Sequence, residues 1–313
     1  MKEITAPIEK TQLLKELTEE RFLRHTTNSS NDLYVVNYHN APNVMKEIGR
    51  LREVTFRAAG GGTGKELDID AFDTAETPYQ QLIVWDPKEQ EILGGYRFQI
   101  CKSPECTNNI ATGKLFNLSE EFKNNYLPFM IELGRSFIQP NFQSTGTNPS
   151  RRGLYALDNL WDGLGALVIE NPHVKYFFGK VTMYPHFNRE ARDMILFFLH
   201  KYFPDKDGLV TPKHPLFPTT DKQVLEDLFN AEDFKENAKI LSQQVRKRNE
   251  NVPPLINAYM NLSNSMRVFG TAINESFGHV EETGIMLTID DIYPAKRERY
   301  FESYLREKAK NVK

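Results

Sequence analysis

The sequence predicts a mixed α/β fold, a sheet of several strands around one core with helices packed on it. Three observations carry this. Strand-like and helix-like patterns alternate along the 313 residues. Two strand patterns, QQLIVWD (80–86) and EILGGYRFQIC (91–101), flank the short polar turn PKEQ as in a hairpin. A strand–helix–strand unit spans 128–184, and a crossover of that length joins parallel strands. There is no internal repeat or low-complexity linker, so a single domain over 1–313 is expected.

Taken in order, residues 8–26 look helical, with Leu13, Leu14, Leu17 and Phe22 near helical spacing. They belong to an N-terminal arm, 1–30. LYVVNY (33–38) reads as a strand. Residues 41–60 read as a long amphipathic helix, with Pro42 near its start, a stripe of Val44, Ile48, Leu51 and Phe56, and Gly60–Gly62 at its end. A loop rich in glycine and acid precedes the hairpin. After a helical stretch at 119–126 comes the strand LPFMIELGRSFIQP, then a polar loop. The helix that follows has the stripe Leu154, Leu157, Leu160, Trp161, Leu164, Leu167 and Val168. YFFGKVTMYP (176–185) is a strand and NREARDMILFFLHKYF a helix. A helical insertion at 205–250 holds helices near 221–231 and 233–249. A proline-led segment, the strand GIMLTID (284–290) and a basic helical tail at 293–313 close the chain.

Composition narrows the function. With 39 Lys and Arg against 42 Asp and Glu, the net charge of −3 gives no basic field for nucleic acid. The N-terminus lacks the apolar core of a signal peptide. The longest apolar candidate, MILFFLHKYF, is too short to span a bilayer and contains His200 and Lys201. The expectation is a soluble protein, attached at most to a membrane surface. Cys101 and Cys106 fit neither a zinc nor a CxxC pattern and argue against a disulfide framework, so a reducing, cytoplasmic setting is the simplest reading.

The stretch MIELGRSFIQP poses the sharpest question, because Glu132 and Arg135 lie inside an apolar strand. An offset of three puts them on opposite faces of a regular strand. A bulge would restore them to one face, Gly134 is the residue that most cheaply allows it, and the freed N–H would face a substrate carbonyl. The alternative is a buried structural ion pair, between the two or with Arg97. Asp68, Asp70 and Asp73 are open to three readings: metal ligands, a solvated loop, or carboxylates that hold a cationic amine. GGGTGK has the look of a phosphate cradle but is not G-x4-G-K-[ST] and follows a helix, which discounts a nucleotide loop. Arg151 and Arg152 stand at a helix N-terminus, a place suited to phosphate, and equally are ordinary surface arginines. His173, His186, His200, His214 and His279 have no ligand spacing, and there is no GxSxG elbow. Hydrolytic and metal chemistries therefore have little support. The tail carries seven Lys/Arg against three Glu, which suits an acidic surface or a plain solvated helix.

Arg52 and Phe56 in R-x-x-x-F, Asp70 and Asp73 in D-x-x-D, G-G-Y-R ending at Arg97, and E-L-G-R at 132–135 follow in one order. That series resembles acyl-homoserine-lactone synthases and ornithine-lipid N-acyltransferases, both of the GNAT fold. Over about 40–310 the chain is more similar still to glycine-lipid N-acyltransferases, sometimes catalogued as hemolysin-like. The resemblance implies a GNAT-like central sheet with a splayed pair of parallel strands, here 128–138 and 176–184. It implies a donor acyl group, often 3-hydroxyacyl, on the phosphopantetheine of acyl carrier protein, an amino-acid acceptor such as glycine or ornithine, and no bound cofactor or metal.

By the same resemblance Glu132, Arg135 and Asp70 are catalytic candidates, with Asp73, Arg52 and Arg97 on the acceptor. Gly134, Ser136, Phe137, Arg151, Arg152 and Trp161 are assigned to the acyl and phosphopantetheine arm. Phe137, Trp161, Phe177 and Phe178 read either as a tunnel lining or as plain core. SRRG departs from the Gly-rich pyrophosphate loop of acetyl-CoA enzymes and suits a single phosphate. An acyl-CoA-dependent N-acetyltransferase and a membrane-acting, hemolysin-like protein are the alternatives, and peripheral contact with the inner membrane surface is a further expectation.

Overall fold

A computed structural model describes residues 1–143 and 155–311. Ten strands occur among them: β1 (Phe22–His25), β2 (Asp32–Val36), β3 (Gln80–Asp86), β4 (Glu91–Ile100), β5 (Phe116–Leu118), β6 (Met130–Ile138), β7 (Tyr176–Met183), β8 (Val210–Pro212), β9 (Arg267–Asn274) and β10 (Val280–Thr288). The architecture is the expected mixed α/β class. The residues fall into two compact units. One comprises 1–102, 129–175 and 293–313, the other 103–128 and 176–292.

In the first unit β1, β2, β3, β4 and β6 pair in that order, each antiparallel to its neighbour. The predicted N-terminal helix is shorter than its pattern, spanning Lys10–Glu16 and yielding to a 3-10 turn and then β1. Helical periodicity alone could not anticipate that 22–25 finds a strand partner in β2. Helix Pro42–Ala58 covers one side, against β6. Its N-cap, Ala41, offers no side-chain oxygen, and the carboxylate of Glu16 takes that role by accepting from the N–H groups of Asn43 (2.8 Å) and Val44 (2.9 Å). Helix Ala156–Glu170 packs against β3 and β4. Its Gly163 faces Leu82, which alternates with Gln81 along β3, so this helix and Gln81 occupy opposite faces of the sheet.

The basic tail is a packed element of this unit. It runs from Pro294–Arg297 through a π-helical turn at Glu298–Glu302 into Ser303–Asn311. Tyr300 donates its hydroxyl to Asp158 (2.7 Å), and Tyr304 and Lys308 both donate to Glu170 (2.7 Å each). Arg299 pairs with Asp158, and Arg24 with Glu307 at 3.1 Å. Part of the positive charge that the sequence offered to an acidic surface is thus spent inside the fold.

In the second unit β7, β10 and β9 form an antiparallel ladder, and β5 pairs with β8. The insertion expected as helical at 205–250 therefore contributes a strand as well as the helices Lys222–Leu228 and Phe234–Arg246. β9 starts at the end of the proline-led segment, to which the sequence assigns no element, and Gly270 within it stands at φ 94°. Asp193, on helix Arg189–Tyr202, accepts from the N–H and hydroxyl groups of Thr219 and Thr220 at 2.8–3.2 Å and so anchors the 213–221 loop. Cys101 and Cys106, the chain's two cysteines, are disulfide-bonded, which corrects the reading of a reduced pair.

Gly165 allows the tail to approach, since a Cβ there would overlap the backbone carbonyl of Tyr300. Backbone cannot swing aside as a side chain does. Gly165→Ala is expected to cost about 1–3 kcal/mol, the usual range for overpacking. Urea denaturation measures this, and an unchanged midpoint would mean the tail does not dock as described.

Candidate active site

The site is built in the first unit by four separated segments. Loop 67–69 crosses helix Pro42–Ala58 at Gly49, with the Asp68 N–H bonded to the Gly49 carbonyl at 3.0 Å. A Cβ on Gly49 would come within 2.7 Å of Ile69, so glycine is what lets the loop lie flat there. One turn further along, Arg52 meets Asp68 (3.0 Å) and makes a two-pronged contact with Asp73 (3.2 and 3.3 Å). Asp70 N-caps the short helix Ala71–Thr74, and Asp73 returns a bond to the Asp70 N–H, a capping box written D-x-x-D. From β4, Arg97 reaches Asp70 (2.8 Å) and Asp73 (3.2 Å). From β6, Arg135 reaches Asp68 (2.8 Å) and, more loosely, Asp70 (3.8 Å).

These six side chains close a ring of alternating sign: Arg52, Asp68, Arg135, Asp70, Arg97, Asp73 and back to Arg52. Gln81 on β3 adds a bond to Asp73 at 3.1 Å. Arg52, Asp68 and Asp73 are fully buried, whereas the side chains of Asp70 and Arg135 are 25% and 15% exposed. The ring therefore turns one edge to solvent. Burial opposes ionisation of Asp68, but the guanidiniums of Arg135 and Arg52 outweigh it and hold the carboxyl below its ordinary range. For Asp73 burial is likewise overcome, by Arg52 and Arg97, and the carboxyl is held well below that range. Burial works against Arg52 and Arg97 too, and their aspartate partners raise both.

The bulge expected in MIELGRSFIQP is present. Gly95 pairs with Phe137 but Arg97 pairs with Gly134, so β6 carries one residue more than β4 across this step. The residue that adopts the left-handed conformation is Arg135, at φ 49°, and not Gly134. Its ion pairs with Asp68 and Asp70 accompany the strain of a side chain in that region. Arg135 thereby joins the face it would leave in a regular strand. The cross-strand pairs Gln81↔Arg97, Arg97↔Gly134 and Gln99↔Glu132 put Gln81, Arg97, Gly134 and Glu132 on that face as well. Gly134 has a different use: a Cβ there would meet nothing within 4 Å, so open space lies on the ring's side of β6.

Glu132 is buried and accepts a hydrogen bond from the hydroxyl of Tyr79, a residue the sequence did not single out. The ring of Tyr79 stacks under the Arg97 guanidinium at 5.1 Å and meets Phe72 edge-on at 5.5 Å. Ser136 completes the bulge, and Phe137 is core at its far side. Trp161 is buried against Tyr300 on the helix of the opposite sheet face, and Phe177 and Phe178 are buried in β7. Arg151 and Arg152 lie outside the described residues. GGGTGK does cradle an anion, but an internal one: the Glu53 carboxylate accepts from the N–H groups of Thr63 and Gly64 and from the Thr63 hydroxyl at 2.7–3.0 Å.

A family model described as an acetyltransferase (GNAT) domain matches residues 51–149, which hold most of this site. Over its whole length the chain is 54% identical to a glycine N(alpha)-acyltransferase of Phocaeicola vulgatus, covering 97% of that protein. It is 53% identical, over 97% of its own length and 91% of the other's, to a glycine N(alpha)-acyltransferase of Bacteroides thetaiotaomicron. The chain belongs to the glycine N(alpha)-acyltransferase family. Among solved structures, the acyl-homoserine-lactone synthase LasI matches 50% of this chain and 74% of its own at 17% identity and a TM-score of 0.33. FeeM, an N-acyl amino acid synthase from uncultured soil microbes, matches 53% and 77% at 12% and 0.32.

Two tests follow for this acyltransferase. Arg52→Leu leaves Asp68 and Asp73 buried without their shared cation and is expected to cost about 3–5 kcal/mol near pH 7. The lowered carboxyls stabilise the parent above the ordinary aspartate range, and that stability goes as pH falls through their lowered values. In the variant, protonation relieves the buried charges, so the deficit should shrink as the pH is taken from 7 toward 3. A deficit constant with pH would mean that Arg52 acts through packing alone. Gly134→Ala is expected to fold within about 0.5 kcal/mol of the parent, since its φ is ordinary and the space is open. If substrate uses that space, turnover falls further from Ala to Val while the melting temperature holds.

Proposed function

We propose that this acyltransferase moves an acyl group, typically 3-hydroxyacyl, from the phosphopantetheine thioester of acyl carrier protein to the amine of glycine, in aminolipid synthesis. The family relationship supports acyl transfer to glycine. What supports the reading within the site is that Glu132 shares one sheet face with the charged ring, through Arg97, and with Gly134, beside which there is open space.

Glycine at neutral pH is a zwitterion, so it needs an anion for its ammonium and a cation for its carboxylate. Asp70 and Arg135 are the two ring members with exposed side chains, and their mutual contact, at 3.8 Å, is the longest in the ring. We assign them to the two ends of the acceptor. Arg52 and Asp73, fully buried, hold Asp68 and Arg97 in place behind them. The ammonium must lose a proton before nitrogen can attack, and Glu132 is the carboxylate assigned to accept it. Nitrogen then bonds to the thioester carbon, the carbonyl oxygen becomes an oxyanion, and the C–S bond breaks as the carbonyl reforms. The thiolate leaves on the carrier arm and takes up a proton. The bulge at Arg135–Ser136 shifts the register of the ladder beside Glu132, and a backbone N–H of that bulge is the donor assigned to the oxyanion. Holding amine and thioester together supplies much of the rate.

The test is to incubate the purified protein with 3-hydroxyacyl carrier protein and glycine and to follow free carrier thiol and N-acylglycine by mass spectrometry. Release of both is expected, with little from acetyl-CoA and less with ornithine than with glycine. Faster turnover with an acyl-CoA would replace the carrier protein as donor, and no product with any small amine would reject the reading.

A further inference from the structure

We infer that Tyr79 is a positioning residue for acyl transfer: its hydroxyl fixes the orientation of the Glu132 carboxylate that receives the proton from the amine. This rests on the reading of Glu132 as the base.

Tyr79 is 1% exposed and sits just ahead of β3, outside every motif that pointed to the site. Three contacts fix its ring and backbone. Its N–H bonds to the Phe72 carbonyl at 2.9 Å, Phe72 packs against the ring edge, and the Arg97 guanidinium lies over the ring face. Arg97 is in turn held by Asp70 and Asp73. The phenol is therefore aimed by the charged ring, and it spends its one O–H on Oε2 of Glu132.

A carboxylate at the end of a glutamate side chain turns about a broad terminal torsion, which a strand backbone does not constrain. A donor locked on one oxygen sets the carboxylate plane, and with it the direction from which the amine proton can be taken. Proton transfer needs heavy atoms within hydrogen-bond reach and in line, so a freely turning carboxylate would spend much of its time misdirected. A tyrosine retained only to fill the core would need no hydroxyl here, since phenylalanine would pack on Phe72 and Arg97 equally well.

The experiment is a cycle of Tyr79→Phe, Glu132→Gln and the double variant, each assayed with 3-hydroxyacyl carrier protein and glycine. Glu132→Gln is expected to lower kcat at least about tenfold, as loss of a general base does. Tyr79→Phe is expected to lower kcat about tenfold with the KM for glycine little changed, and to cost little further in the Glu132→Gln background. If Glu132→Gln is impaired but Tyr79→Phe turns over like the parent, this inference fails and the base assignment stands. If Tyr79→Phe costs the same factor in both backgrounds, the hydroxyl acts apart from Glu132 and the inference fails. If Glu132→Gln retains parental turnover, the base assignment fails, and this inference with it. Should Tyr79→Phe fold poorly, fluorinated tyrosine at position 79 keeps the shape and alters only donor strength. Assayed below the phenol's own titration, it should change kcat at unchanged melting temperature, and identical turnover would overturn the inference.

Discussion

Everything in the first unit's site depends on one constraint: buried charges must be neutralised within reach, or the chain cannot afford to bury them. Three arginines and three aspartates meet that requirement by alternating around a closed ring. Each comes from a segment that local structure alone would leave free: one helix face, one loop, and two strands. A ring has no terminal member, so removing any residue leaves two neighbours of like sign short of a partner. That is a strong reason for four segments to keep one arrangement.

The ring also organises what surrounds it. Asp70 and Asp73 both cap a single helical turn and bind guanidiniums, so the fold of loop 68–79 and the charge balance are one set of bonds. That loop ends at Tyr79, which carries the order of the ring across to Glu132. The left-handed backbone at Arg135 belongs to the same economy of forces, since a strained residue persists where its surroundings over-determine it. The edge occupied by Asp70 and Arg135 is where this ring meets solvent.

Much of the architecture was legible before any tertiary contact was considered. The hairpin β3–β4, the helix Pro42–Ala58 and the strand β6 lie within a few residues of their patterns, because each is a long, mainly apolar or amphipathic stretch. Elements whose existence depends on a distant partner were not legible. The pattern over β1 reads as helix and that over β8 as part of a helical insertion, since each is short and is a strand through pairing, while β9 is assigned no element by its pattern. In the site, Arg52, Asp70, Asp73, Arg97, Glu132 and Arg135 were found by their spacing and resemblance. Tyr79 and Gln81 were missed, and Asp68 was grouped with Asp70 and Asp73 as one acidic loop whose role stayed open.

By itself the sequence determined which residue types were available and in what order: cations on a helix and two strands, carboxylates in a loop, and a carboxylate with an arginine three positions later in an apolar strand. It also fixed membership of an acyltransferase family through motifs that recur in a set order. Only the tertiary structure decided which charge faces which. A salt bridge or a stacked ring depends on the three-dimensional separation of groups far apart in the chain, and local periodicity carries no information about that distance. The glycine that seemed to enable the bulge proved to leave space above it, while the arginine beside it bears the unusual backbone. The sequence placed both side by side, and the register between β4 and β6 assigned their roles.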